Sequence, residues 1–131
     1  MNGPILHETP LFSALSTAQQ ERIAAYLQPR SLTAGERLFS IGEEASSLYI
    51  IRTGWIRLAS PGGDVLASLG PGSIFGETDL FRGQRRSSSA VAASAAELWT
   101  LDGRDLADAI IDDPDLGIAL SRAFGGHIVQ M

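Results

Sequence analysis

The stretch that decides the reading is Gly72-Ser73-Ile74-Phe75-Gly76-Glu77-Thr78-Asp79-Leu80-Phe81-Arg82-Gly83-Gln84-Arg85-Arg86-Ser87-Ser88-Ser89-Ala90. It breaks a run of short strands with a polar, glycine-bearing segment. Leu80 and Phe81 form an apolar anchor suited to one helical turn. Gly76 permits an unusual backbone angle or the close approach of a ligand. A short helical turn exposes unpaired N–H groups that suit an anion. Arg86 could offer phosphate a bidentate charged clamp, and Ser87 a hydroxyl donor. Glu77 does not favour phosphate; a carboxylate accepts hydrogen bonds from hydroxyls, such as those of a ribose. Together these residues fit a sugar-phosphate pocket. On the residues alone a plainer reading stays open, in which Arg86 is solvated or simply pairs with Glu77.

On both sides of this segment, short apolar runs alternate with glycine. Strands are expected over residues 30–32, 37–39, 47–52, 54–60, 64–69, 88–93 and 96–101. Gly35, Gly42, Gly54, Gly70 and Gly72 punctuate them, and Pro61-Gly62-Gly63-Asp64 marks a turn between two. Many short strands at this spacing indicate an antiparallel sandwich or barrel-like roll. A parallel sheet would need crossover helices, and no helical pattern lies between these strands.

Helical patterns lie further out. Ser16-Thr17-Ala18-Gln19 has the spacing of a capping box, and Ile23, Tyr26 and Leu27 then share one face. Leu11, Phe12 and Leu15 fit a short preceding turn or helix, and Pro29 is expected to end the helical segment. Toward the other end, Asp102 can cap a helix running to about residue 111, with Leu106, Ala109 and Ile110 inward. Asp113-Pro114 reads as a second helix start. Leu116, Leu120, Phe124 and Ile128 follow at four-residue spacing, weakened by Gly125-Gly126. That apolar stripe runs on to Met131, so a continuing chain or a partner is expected on this face. The fold class is therefore mainly β with flanking α-helices. The expected arrangement is one domain over residues 1–131, with a helical segment (8–28), a jelly-roll-like antiparallel β-roll (30–101) and two C-terminal helices (102–131).

Composition narrows the function classes. The chain has 131 residues, of which 44% are apolar, enough for one core. Its net charge is −5 and all ten of its basic residues are arginine, which disfavours non-specific binding to nucleic acid or anionic lipid. Without cysteine it has no disulfide, thiolate nucleophile or thiolate metal site, which fits a cytoplasmic setting. No stretch approaches the ~20 apolar residues of a membrane-spanning helix. His7 and His127 have no ligand spacing. Asp112, Asp113 and Asp115 lack the spacing of a calcium loop. The serines at 87–89 have no neighbouring histidine base. Trp55 and Trp99, in expected strands, are assigned to packing. No catalytic residue and no metal site are expected.

With these residues in view, the central segment resembles the phosphate-binding cassette of cyclic-nucleotide-binding domains, a family that includes catabolite activators, protein kinase A regulatory subunits and cyclic-nucleotide-gated channels. The resemblance rests on Phe75-Gly76-Glu77, Leu80-Phe81 and Arg86-Ser87-Ser88. It is joined by Ala34-Gly35-Glu36, Phe39, Gly42-Glu43, Leu48-Tyr49-Ile50-Ile51, Gly54 and Leu69-Gly70-Pro71-Gly72. It covers roughly residues 10–130. It implies a non-catalytic sensor that binds a cyclic nucleotide, cyclic AMP ahead of cyclic GMP, and relays occupancy through its C-terminal helices to an effector domain or a homodimer partner. No direct contact with nucleic acid is implied, and no room remains for a helix-turn-helix reader.

By the resemblance, Gly76, Glu77, Thr78, Asp79, Arg86, Ser87 and Ser88 form the ligand site. Glu77 would take the ribose 2′-hydroxyl, Arg86 the cyclic phosphate and Ser87 a bond near the phosphate or base. Backbone N–H groups around Gly76 and Asp79 would complete the cradle. The chain departs from the family at Thr78 and Asp79, where an apolar and a small residue are usual. Asp79 would repel a phosphate unless it points away or pairs with Arg82 or Arg85. Ala90 stands where a larger β-branched residue is usual. The alternative reading is a family-fold interaction or oligomerisation domain that has lost nucleotide binding.

Overall fold

The computed structural model describes residues 12–123. A short 3₁₀ turn, Phe12–Ala14, leads into α1, Thr17–Ala24. Ser16 caps α1 as its spacing predicts: its hydroxyl accepts from the Gln19 N–H at 3.1 Å, and the Gln19 side chain accepts from the Ser16 N–H at 3.1 Å. Eight strands follow, interrupted by one short helix: β1 Gln28–Leu32, β2 Arg37–Phe39, β3 Ser47–Thr53, β4 Ile56–Ala59, β5 Val65–Leu69, β6 Ile74–Phe75, α2 Glu77–Arg82, β7 Ser89–Ala92 and β8 Ala96–Asp102. Two helices, α3 Gly103–Asp112 and α4 Pro114–Ala123, come last. Asp102 caps α3 by accepting from the Arg104 N–H at 2.8 Å.

The strands form two antiparallel four-stranded sheets, ordered β1-β8-β3-β6 and β2-β7-β4-β5. β3 and β8 are central to the first, and their side chains alternate between two apolar layers. Tyr49, Ile51, Ala96 and Leu98 face the layer shared with the second sheet, beside Phe39, Ile56, Phe75, Ala90 and Ala92. Leu48, Ile50, Trp99 and Leu101 face the helices, against Phe12, Ile23, Phe81, Leu106, Leu116 and Leu120. A strand covered on both faces reads as a continuous apolar run, which is the texture of Leu48-Tyr49-Ile50-Ile51.

Three sequence expectations are corrected. Pro29 lies inside β1 instead of ending the helix: α1 stops at Ala24, and β1 is an edge strand, where a missing N–H is tolerated. The strand expected over 54–60 begins only at Ile56, because Gly54 turns at φ +87° with Ala95 against it. Trp55 therefore lies outside the strand and is half exposed, its indole lying over Gly70. The additional strand β6 was hidden inside the segment read as a polar interruption. Leu11, Phe124, Gly125, Gly126, Ile128 and both histidines lie outside the described residues.

Candidate functional site

The site forms where β6 runs into α2 and where the chain returns toward β7. Gly76, at φ +80°, is the hinge between β6 and α2. A Cβ there would lie 2.9 Å from Arg86 Nη1, so the position needs glycine for both its angle and its space. On the other side, the backbone of Arg86 is fixed to the loop after β2: its N–H donates to the Glu43 carbonyl at 2.8 Å, and its carbonyl accepts from the Gly42 N–H at 2.9 Å.

Six of the seven expected site residues, Gly76, Glu77, Thr78, Asp79, Ser87 and Ser88, line one cavity of about 330 Å³. Its apolar wall comes from both sheets: Phe39, Leu58, Leu69, Ile74 and Phe75. Their alternation along strands was legible, but not that these particular positions face a pocket.

Arg86, the seventh, is 3% exposed and turns inward. Its guanidinium donates to the Gly76 carbonyl at 2.7 Å and to the Ser47 carbonyl at 2.6 Å. It lies 4.1 Å from the Phe39 ring centroid and 5.9 Å from that of Tyr49. Those rings belong to a cluster with Phe75, spaced 5.3–6.2 Å apart. The side chain thus ties β6, β3 and the aromatic layer together. Burial pulls its pKa down, while Tyr49, Asp79 and Glu43 favour the charged form. Its Nε is buried without a partner. Arg86 and Glu77 form no ion pair, and Ser47 and Tyr49 are partners that no local motif announced.

Asp79 takes neither route expected of it. It does not pair with Arg82 or Arg85; Arg85 donates instead to the Gly42 carbonyl at 2.9 Å. The Asp79 carboxylate accepts from the Ser87 N–H at 3.2 Å and from the Ser87 hydroxyl at 3.2 Å. The cause is proximity: α2 brings residue 79 beside the chain entering β7, and Ser87 offers two donors at once. Glu77, half-buried at the start of α2, has its carboxyl pushed above the ordinary carboxylate range. Burial is the main cause and the Asp79 charge adds to it, while the Glu77 and Thr78 N–H groups and Arg86 pull the other way. Among the described residues, no group of histidine, aspartate or glutamate side chains is arranged to hold a metal ion, and no helix is long and apolar enough to cross a membrane.

The two antiparallel sheets thus hold a short helix that starts at a left-handed glycine, and a buried arginine, beside a cavity edged by polar side chains. The cyclic nucleotide-binding domain family matches residues 29–113, and the chain belongs to that family. The domain of this family is a non-catalytic regulatory module, homologous to the catabolite activator and protein kinase A regulatory folds.

The N-terminal domain of a Streptomyces coelicolor transcriptional regulator superposes with a TM-score of 0.84 at 30% identity, covering 97% of this chain and 94% of that one. The Cyclic AMP receptor protein of Thermus thermophilus is 37% identical over 101 residues, 74% of this chain and 47% of its own length. An uncharacterized NTE family protein of Mycobacterium tuberculosis is 29% identical over 125 residues, 95% of this chain. The chain spans only 21% of that mycobacterial protein's length.

Proposed function

We propose that this chain is one cyclic-nucleotide sensor domain that binds cyclic AMP in preference to cyclic GMP and passes occupancy through α3 and α4 to an effector or a second copy. The observation that carries the reading is the convergence of Gly76, Glu77, Thr78, Asp79, Ser87 and Ser88 on one cavity of about 330 Å³. That volume suits a small ligand. Glu77 supplies an acceptor for a ribose hydroxyl. Ser87 and Ser88 line the same cavity and carry hydroxyl donors. The apolar wall of Phe39, Leu58, Leu69 and Ile74 offers a base a dry surface. The preference for cyclic AMP leans on the Thermus relative, named for that messenger. A cytoplasmic setting follows from the nature of such a messenger.

The relay has a physical route. Phe81 of α2 is buried in the same layer as Leu106 of α3 and Leu116 and Leu120 of α4. A ligand that shifts α2 therefore disturbs the apolar layer on which the terminal helices pack.

A second reading, a scaffold of this fold that no longer binds nucleotide, is favoured by one observation: the Ser87 donors are already taken by Asp79. Calorimetric titration with cyclic AMP, cyclic GMP and plain AMP separates the two. Saturable heat with cyclic AMP and none with AMP supports the sensor. Silence at millimolar ligand from a folded sample supports the scaffold.

A further inference from the structure

We propose that Asp79 sets the affinity of this pocket for phosphate-bearing ligands, its carboxylate being the resident anion of the Ser87 donors. The inference rests on the sensor reading and specifies how the site is tuned.

The geometry is that of an occupied anion cradle. Both oxygens of Asp79 lie 3.2 Å from the Ser87 hydroxyl, and one also takes the Ser87 N–H at 3.2 Å. Neither residue is free to drift. The Asp79 carbonyl accepts from the Gln84 N–H at 2.9 Å, closing the turn after α2, and the residue before Ser87 is bonded to Gly42 and Glu43. Asp79 makes no ion pair with Arg82 or Arg85; its carboxylate is held by the two Ser87 donors, and Arg86 interacts with its charge from further off. The Arg86 guanidinium is itself engaged with the Gly76 and Ser47 carbonyls.

An incoming phosphate meets two obstacles. It must displace Asp79 from Ser87, exchanging one set of charge-assisted hydrogen bonds for another with little net gain. It must also approach two carboxylates, Glu77 and Asp79, that line the same cavity. Asp79 is only partly buried, and the bond that its carbonyl accepts restrains its backbone and not its carboxylate. A neutral hydroxylated group does not meet the second of these. The residue therefore raises the phosphate concentration at which the pocket fills.

The test compares wild type, Asp79→Ala, Asp79→Asn and Asp64→Asn by calorimetric titration with cyclic AMP. Asp64 sits on the turn between β4 and β5, so Asp64→Asn removes the same charge away from the cavity. Circular dichroism first establishes that each variant is folded, and Asp79→Asn serves if the alanine variant is not. The expected result is affinity higher by about tenfold or more in Asp79→Ala, a smaller gain in Asp79→Asn, and none in Asp64→Asn. Binding seen only in the Asp79 variants supports the proposal equally. Equal affinity in wild type and Asp79→Ala overturns it while leaving the sensor reading intact. An equal gain in Asp64→Asn reduces the effect to net charge and also overturns it. Silence from every folded variant overturns both, because freeing the Ser87 donors then uncovers no anion site.

Discussion

Arg86 donates to the carbonyl of Gly76 at 2.7 Å, joining a buried cation to the left-handed glycine where β6 turns into α2. The same guanidinium reaches Ser47 in β3 and lies against Phe39. Arg86→Ala would strip two carbonyls of their donor and leave a void against the aromatic cluster. The expected loss is on the order of 2–4 kcal/mol of folding stability. Urea denaturation of the ligand-free protein measures it. Unchanged stability would mean that Arg86 is held out toward solvent.

Gly76→Ala probes the other end of that bond. A Cβ would meet Arg86 Nη1 at 2.9 Å, and φ +80° strains any L-residue. A loss of about 1–3 kcal/mol is expected, with any cyclic nucleotide affinity falling too, because relieving the contact displaces Arg86. Gly83 is a matched comparison: φ there is +65°, but nothing lies near the added Cβ. Equal losses at Gly76 and Gly83 would count against a specific contact with Arg86.

Glu77 gives a pH dependence with a definite sign. Its folded pKa is raised, chiefly by burial. The folded state therefore holds the proton more tightly than the unfolded chain. The corresponding stability is complete below the unfolded carboxylate pKa and is lost as pH rises through the higher folded value. Glu77→Gln has no such loss. It should match wild type most closely in acid and become relatively more stable toward neutral pH. Denaturation curves across that range decide it; a difference that stays constant with pH would refute the assignment to Glu77.

Ser16→Ala tests a local feature far from the pocket. Removing the hydroxyl leaves the Gln19 N–H without its cap and should cost about 1 kcal/mol. A thermal melt with cyclic AMP titrated alongside should show lower stability and unchanged affinity. Altered affinity would mean that α1 is coupled to the site.

What was legible in the sequence was local. The capping box at Ser16, the Asp102 cap and the Asp113-Pro114 start each rest on groups a few residues apart, and each appears in the structure. A strand over 47–52 was likewise legible, but that both faces of the run from Leu48 to Ile51 are covered appears only in the structure. The clustering of Gly76–Asp79 with Ser87 and Ser88 followed from a motif held within about a dozen residues.

What could not be read depends on distant chain. Ser47 lies 39 positions before Arg86, and the orientation of that guanidinium is set by Ser47 and Phe39 rather than by its neighbours in sequence. Trp55 was misassigned because its place follows from Gly54 turning beside Ala95. Asp79 had two arginines close in sequence, yet its partner is Ser87, which offers a hydroxyl and an N–H together.

The central claim, that the cavity between α2 and the start of β7 holds a cyclic nucleotide, is tested most directly by titrating cyclic AMP into ¹⁵N-labelled protein and following backbone amide resonances. The account predicts saturable shifts largest at Gly76, Glu77, Asp79, Ser87 and Ser88, followed by smaller shifts along α3 and α4. Absence of shifts at millimolar ligand, or shifts confined to residues away from this cavity, would contradict it.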